Sequence, residues 1–555
     1  YTPGATSLKE LGTKGLGAFL TERQSKVDRS RYDYIDGTMA WVGRLATSLE
    51  YRTTRQMKDL ILADPRAKMF PSFKKLVDPH FEGLMSPTGQ GMKEMKTFAS
   101  AYFMGGNLAS AVINGSQSVS TLIPTLIQLD GSGGPVKAYQ RLFKAVADAT
   151  SVSMSSAWES VAQAAKDKDP MKWTLEEAKA VMYYQNIKDG GITHGIIQDN
   201  IFSGTDQRSL MMAKFGHGDY GPVTKSEMAR NAVYLGSQLA LKPFGWVEAF
   251  NNKISLMAGV AQGYEKGLRG DALYDHAKLV KTLSTFGGGK SNVPGFVSHA
   301  ANTYMQSPVG LANTLQQYGY GIVAAYGQLM KDSLGMSQGL DPQQRRQAQK
   351  AFGTMFATQV ALGGALGLPF AAASLRLIET VFGVPANQLV RQGLASLGSD
   401  EDQGAVIAET ALNGLGNQLL GLDVSSRLGV SSMLGTSSYK GFNLADMAGP
   451  TVSIVQNAAQ ALNLFGQQKP VEAFQKLVPV AFKNAIQMSD TKAKYGEYGF
   501  HDTAGNLLMK AKPSEAAMYS LGFRPSMLSQ KRNAQAALAF ANERSLSQRG
   551  QELDQ

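Results

Sequence analysis

In "PVKAYQRLFKAVADAT", Pro135 to Thr150, the apolar residues Val136, Tyr139, Leu142, Phe143 and Val146 recur at spacings of three and four. That is the period of an α-helix with one apolar face. The same pattern runs through most of the chain, with start and stop signals where helices need them. Thr174-Leu-Glu-Glu177 has the Thr-x-x-Glu spacing of a capping box, and Asp341-Pro342 is an N-cap followed by proline at the first helical position. Lys469-Pro470 and Lys512-Pro513-Ser-Glu515 give similar starts, while Gly190-Gly191 and Gly287-Gly-Gly289 read as helix ends, the first closing the helix that Thr174 begins. No stretch shows sustained period-two alternation with hairpin turns. These signals predict an all-α fold, a multi-helix, elongated or multi-lobed assembly protein. Turn-rich joints divide it into an amphipathic helical region 1–90, a central helical domain 91–340, an apolar hairpin and Gly-rich region 341–468, and a C-terminal helical region 469–555.

Composition narrows the function classes. Charged residues make up 18% of the 555, against about 25% in an ordinary soluble domain. Lys and Arg number 55 and Asp and Glu 44, a formal charge of +11, which suits a polyanionic partner. Cysteine is absent, which removes disulfides, thiolate metal sites and cysteine nucleophiles. The first residue is Tyr1 rather than Met, so the chain reads as a piece of something longer.

Three runs lack Asp, Glu, Lys and Arg altogether: Thr97–Leu129, Ser291–Met330 and Ala351–Leu375. The first two carry many Ser, Asn, Gln, Gly and Tyr, too polar for lipid, and read as helices buried against protein, in this chain or another copy. The third is long enough for a membrane span, for which about 20 residues are needed. Yet Gly363, Gly364, Gly367 and Pro369 interrupt it, and Gly363-x-x-x-Gly367 would let two helices approach closely. The reading is a helical hairpin bent near Gly367-Leu-Pro369. Gly363, Leu366, Gly367 and Pro369 are the candidate contacts with membrane or a second helix, and a core hairpin that never touches lipid fits the sequence equally.

Catalytic signatures fail on context. "FGGGKS", Phe286 to Ser291, ends like a phosphate-binding loop, but Ser284 stands where that loop needs its first glycine, and "DHAKLVKTLSTF" leading in reads as helix, not strand. Gly335-Met-Ser337-Gln-Gly339 matches a nucleophile elbow letter for letter, yet lies between two helical patterns rather than on a strand-to-helix turn. The six histidines form no ligand pair at helical spacing. The expectation is a segment without a catalytic site, without cofactor and without metal. For nucleic acid, Arg23, Lys26, Arg29 and Arg31 lie near Tyr32 and Tyr34 and are candidates for non-specific DNA contact, although Glu22, Asp28 and Asp33 interleave them as on a solvated amphipathic helix.

A family resemblance enters through ordered blocks: "KPFGWVEAFNNKISLMAGVAQGYEKGLRGDALYDHAKLVKTLSTF" from Lys242, "SPVGLANTLQQYGYGIVAAYGQLMKD" from Ser307, "GLDVSSRLGVSSMLG" from Gly421, "MAGPTVSIV" from Met447, "YGFHDTAGNLLMK" from Tyr498 and "EAAMYSLGFRPSMLSQKRNAQAAL" from Glu515. Over roughly residues 225 to 550 the chain resembles the late region of very large bacteriophage polypeptides called PLxRFG-domain proteins, although the literal Pro-Leu-x-Arg-Phe-Gly string is absent. The resemblance implies an internal virion (ejection) protein of short-tailed phages, packaged in the head and ejected with the genome to help form a conduit for DNA across the host envelope. It implies as partners sister copies, other ejected phage proteins, portal or tail proteins, phage DNA without sequence preference, and the host inner membrane. It implies a location in the virion, then in the host periplasm and inner membrane. In some relatives other parts of the polypeptide carry cell-wall transglycosylase or RNA-polymerase modules, so a helical platform for such an enzyme is a second reading. A head-packaged antirestriction protein is a third.

Overall fold

The computed structural model describes residues 102–130, 134–189, 225–285, 308–368, 386–423, 478–501 and 506–529, apart from isolated positions, with scattered residues elsewhere. Contacts divide the chain into two units. One comprises Tyr1–Ala99, Ile197–Leu239 and Gly289–Thr314; the other comprises Ser100–Ile196, Ala240–Gly288 and Leu315–Gln555. The side-chain geometry below belongs to the second unit.

The protein is all-α. In chain order the helices are α1 (Leu108–Gly115), α2 (Ile123–Leu129), α3 (Gly134–Met154), α4 (Ala157–Lys166), α5 (Leu175–Lys188), α6 (Lys225–Glu265), α7 (Gly270–Ser284), α8 (Pro308–Ser333), α9 (Pro342–Gly363), α10 (Ala386–Ala395), α11 (Glu401–Leu420), α12 (Val480–Tyr495) and α13 (Pro513–Ser520). Start signals operate as the residues dictate. Thr174 accepts the Glu177 N–H at 3.2 Å while the Glu177 carboxylate accepts the Thr174 N–H at 2.9 Å. Asp341 and Gln344 close the same reciprocal pair at 2.7 and 3.1 Å. Helix α5 stops at Lys188, as its glycine pair predicts. Pro470 and the helix start expected there, Gly190-Gly191 and Gly287–Gly289 lie outside the described residues.

One large core holds α2, α3, α5, α6, α7, α8 and α9 together through Leu122, Ile123, Leu126, Leu142, Met182, Leu256, Met257, Leu273, Ile322 and Met355. The stripe on α3 is rotated from its reading. Ala138, Leu142, Ala145, Ala149 and Val152 face inward, whereas Val136 and Phe143 stand 71% and 68% exposed. A line of alanines, each contributing little transfer energy, marks the close contact face better than the larger side chains do.

The structure departs from the strand-free expectation at one place. Gly499–His501 and Leu507–Lys510 pair antiparallel, with Phe500 opposite Met509. Strands of three and four residues are too short to show alternation. Phe500 anchors them in a satellite core with Met488 of α12, Ala516 of α13 and Leu528.

Candidate functional site

From Tyr102 onward, the described part of the charge-free segment Thr97–Leu129 packs within its own unit against α6 and α7. After α1 the chain makes one turn of π-helix, Ser118–Leu122, whose Ser118, Ser120 and Thr121 are buried. A π turn inserts an extra residue and reorients the side chains around it. Here the Ser118 hydroxyl donates to Asn251 Oδ1 of α6 at 2.7 Å, and the Thr121 hydroxyl donates to the Ser284 carbonyl that ends α7. Asn251 in turn donates to the Asn114 carbonyl at 2.7 Å. The polar residues that make this run unfit for lipid are thus spent on a seam of hydrogen bonds inside the core.

About three turns further along α6 the seam continues. Gln262, fully buried, donates its amide to the Leu126 carbonyl at 2.7 Å, and its Oε1 lies 3.1 Å from His276 Nε2 of α7. Because the Gln262 amide nitrogen is already donating, its Oε1 must accept, and neutral His276 therefore carries its proton on Nε2. Beside it Arg141 of α3, 5% exposed, grips Asp130 with two bonds of 2.6 and 3.2 Å and Glu265 of α6 with a third of 2.6 Å. Lys137 adds a 3.1 Å ion pair to Glu265, and Lys266 donates to the Leu129 carbonyl. A second buried pair, Lys179 of α5 with Asp148 of α3, lies elsewhere in the same core. Tyr274 of α7 donates to Asp189 at 2.5 Å and accepts from Asn186 at 3.2 Å; burial, reinforced by Asp189, pushes its phenol up to about 12.

Burial pushes the His276 imidazole below its ordinary value, and Lys266 in the turn after α6 and Arg141 of α3 push the same way, against Asp130. The unfolded chain then takes up the proton first, so stability is complete above about pH 6.5 and falls as pH drops through that value. The urea midpoint of the wild type should decline between pH 7.5 and 5. In His276→Gln, which keeps a donor toward Gln262, that decline should be smaller. Equal slopes would show that His276 does not couple to folding.

Of the residues singled out by sequence, Arg23, Lys26, Arg29, Arg31 and Pro369 lie outside the described residues, as do "FGGGKS" and His80, His194, His217 and His299. Ser284 ends a helix, not a strand, and the Ser337 hydroxyl donates to Asp332 in a tight turn between α8 and α9. Among the described residues no cluster of three or more His, Asp or Glu is placed to hold a metal ion. Nor is any described helix long and apolar enough to cross a membrane.

The expected hairpin bends earlier than Gly367-Leu-Pro369. Helix α9 ends at Gly363, Gly364 takes φ 65° and ψ −171°, and Ala365–Gly367 forms one 3-10 turn. Gly363 and Gly367 are buried and Leu366 half-buried, and because the helix stops between them the two glycines share no helical face. The physical reason is a backbone approach from α11 at Gly364, described below. A different Gly-x-x-x-Gly brings two helices together: Gly259 and Gly263 of α6. A Cβ on Gly259 would stand 2.9 Å from Ala277 Cα of α7, and one on Gly263 would stand 2.7 Å from Leu273 Cδ1. Its signal, "MAGVAQGYE", Met257 to Glu265, is present in the sequence as the small-x-x-x-small spacing of a close helix contact.

Comparison of the chain with protein-family models, with curated proteins and with solved structures gives no match.

Proposed function

We propose that this chain is a helical segment of an internal virion protein of a tailed bacteriophage, ejected with the genome and helping to build a conduit for DNA across the host envelope. The ordered blocks from Lys242 to Leu538 carry this reading. The core geometry supports it on separate grounds. A protein that leaves through a narrow tail must come apart and reassemble. A chain without disulfides has no covalent obstacle to that. Alongside its apolar core, part of its interior is held by a seam of side-chain hydrogen bonds, each contributing about 1 kcal/mol net, because water replaces them when the core opens. Asn114 Nδ2 and Ser255 Oγ are buried with no partner among the described residues, so opening relieves part of its own cost. The +11 charge suits passage alongside DNA through non-specific phosphate contact. Sister copies, other ejected proteins, the portal or tail, and the inner membrane are the partners that this role requires.

The test is proteomic. Quantitative mass spectrometry should find the chain in purified particles of the phage that encodes it and lose it from particles emptied by triggered DNA release. It should then appear in the envelope fraction of infected cells. Absence from intact particles, or retention in emptied ones, would overturn the proposal.

A further inference from the structure

Helix α9 breaks at Gly364, and helix α11 breaks at Gly414, which takes φ 79° and ψ 168° while helix continues on both sides. Both breaks fall at glycines, Gly364 in the pair Gly363-Gly364 and Gly414 two residues before Gly416, and glycine pairs are an ordinary cause of kinks. A glycine inside a helix nevertheless costs only about 1 kcal/mol without ending it, and at both breaks the other helix's backbone lies against the glycine. A Cβ built on Gly364 would lie 2.3 Å from the Leu412 carbonyl carbon and oxygen, and one on Gly414 would lie 2.4 Å from Gly364 N and 2.6 Å from the Leu362 carbonyl oxygen. Two backbones nest where only glycine fits, each in a conformation that L side chains rarely adopt.

A second set of contacts keeps the chain folded back after the break. Buried Gln359 donates to the Gly367 carbonyl at 3.3 Å and accepts the Tyr326 hydroxyl of α8 at 2.7 Å. The tyrosine thus braces the turn that follows Gly364.

We propose that Gly364 and Gly414 form a conformational latch between this bent arrangement and a straightened one in which α9 and α11 each run through their glycine. The inference rests on the crossing alone and stands whether or not the chain is ejected. Opening the latch exchanges the nested backbone contact for the helical hydrogen bonds that each kink forgoes. It also extends α9 past Gly364 by up to about one turn, to the residues before Pro369, where proline disfavours further helix. In an ejected chain this is where folded-back structure would begin to lengthen.

Because the chain has no cysteine, Ala361→Cys with Leu415→Cys places two unique spin labels at exposed positions flanking the crossing. Gly364→Ala or Gly414→Ala in that background should abolish the dipolar broadening between them while far-UV helicity is kept or rises. The double alanine variant should cost no more stability than the costlier single one, since one latch opens once. Gly353→Ala, in open space on α9, is the control and should leave the labels coupled. Persistent broadening in both single variants, loss of helix on separation, or additive costs in the double variant would each overturn the latch.

Discussion

Replacing Arg141 with methionine should lower folding stability by about 3–5 kcal/mol, the range for removing one partner of a buried ion pair. The guanidinium is buried with Asp130, itself 7% exposed, and satisfies both of that carboxylate's oxygens. Burial opposes the arginine's charge, yet its hydrogen bonds to Asp130 and Glu265 raise its pKa overall, so the charge is more than compensated. Methionine fills much of the volume but leaves the Asp130 carboxylate without its bidentate partner. The discriminating measurement is a double-mutant cycle in urea. Arg141→Met with Asp130→Leu should recover most of the loss, because a buried pair replaced by apolar side chains costs little. A single-variant loss below about 1 kcal/mol would place the cluster in effectively aqueous surroundings, where ion pairs contribute that little.

How far such features were legible in the sequence depends on the range over which they act. Caps span three residues, and Thr174–Glu177 and Asp341–Gln344 could be read directly. Period identified α3 as a helix and set Tyr139, Leu142 and Val146 toward the core, but it gave the exposed Val136 and Phe143 equal weight and missed Ala138, Ala145 and Ala149. Arg141 could not have been placed inside by periodicity, which assigns charged residues to solvent. Its partners Asp130 and Glu265 are 11 and 124 residues away, and only the fold brings them together. The polar run that ends at Leu129 was legible as largely buried over its described residues, because uncharged Asn, Ser and Thr at that density need hydrogen-bond partners, whereas the burial of most of Ser291–Met330 lies outside the described residues. Which helix supplies those partners was not legible, since Ser118 meets Asn251 across 133 residues.

The two Gly-x-x-x-Gly strings show the same limit, and they yield the second large effect. Gly363 and Gly367 looked like a packing motif inside an apolar run. Gly259 and Gly263 are one in fact, because α7 lies against them with Leu273, His276, Ala277 and Val280. Gly259→Val should cost about 3 kcal/mol, the upper end of ordinary overpacking. The neighbour at 2.9 Å is the Ala277 backbone, which cannot rotate away, so α6 and α7 must separate along their length. Separation should also break the bond between Gln262 and His276, so the variant should lose the acid sensitivity attributed to His276 as well as stability. Gly245→Ala, on the same helix with nothing within 4 Å of the added methyl group, should be neutral or stabilising by up to about 1 kcal/mol. Urea unfolding of both variants at pH 7.5 and pH 5 reads all of these outcomes together. If Gly259→Val matched Gly245→Ala in midpoint at both pH values, the helices would not be in backbone contact, and the polar seam would have to be held together without them.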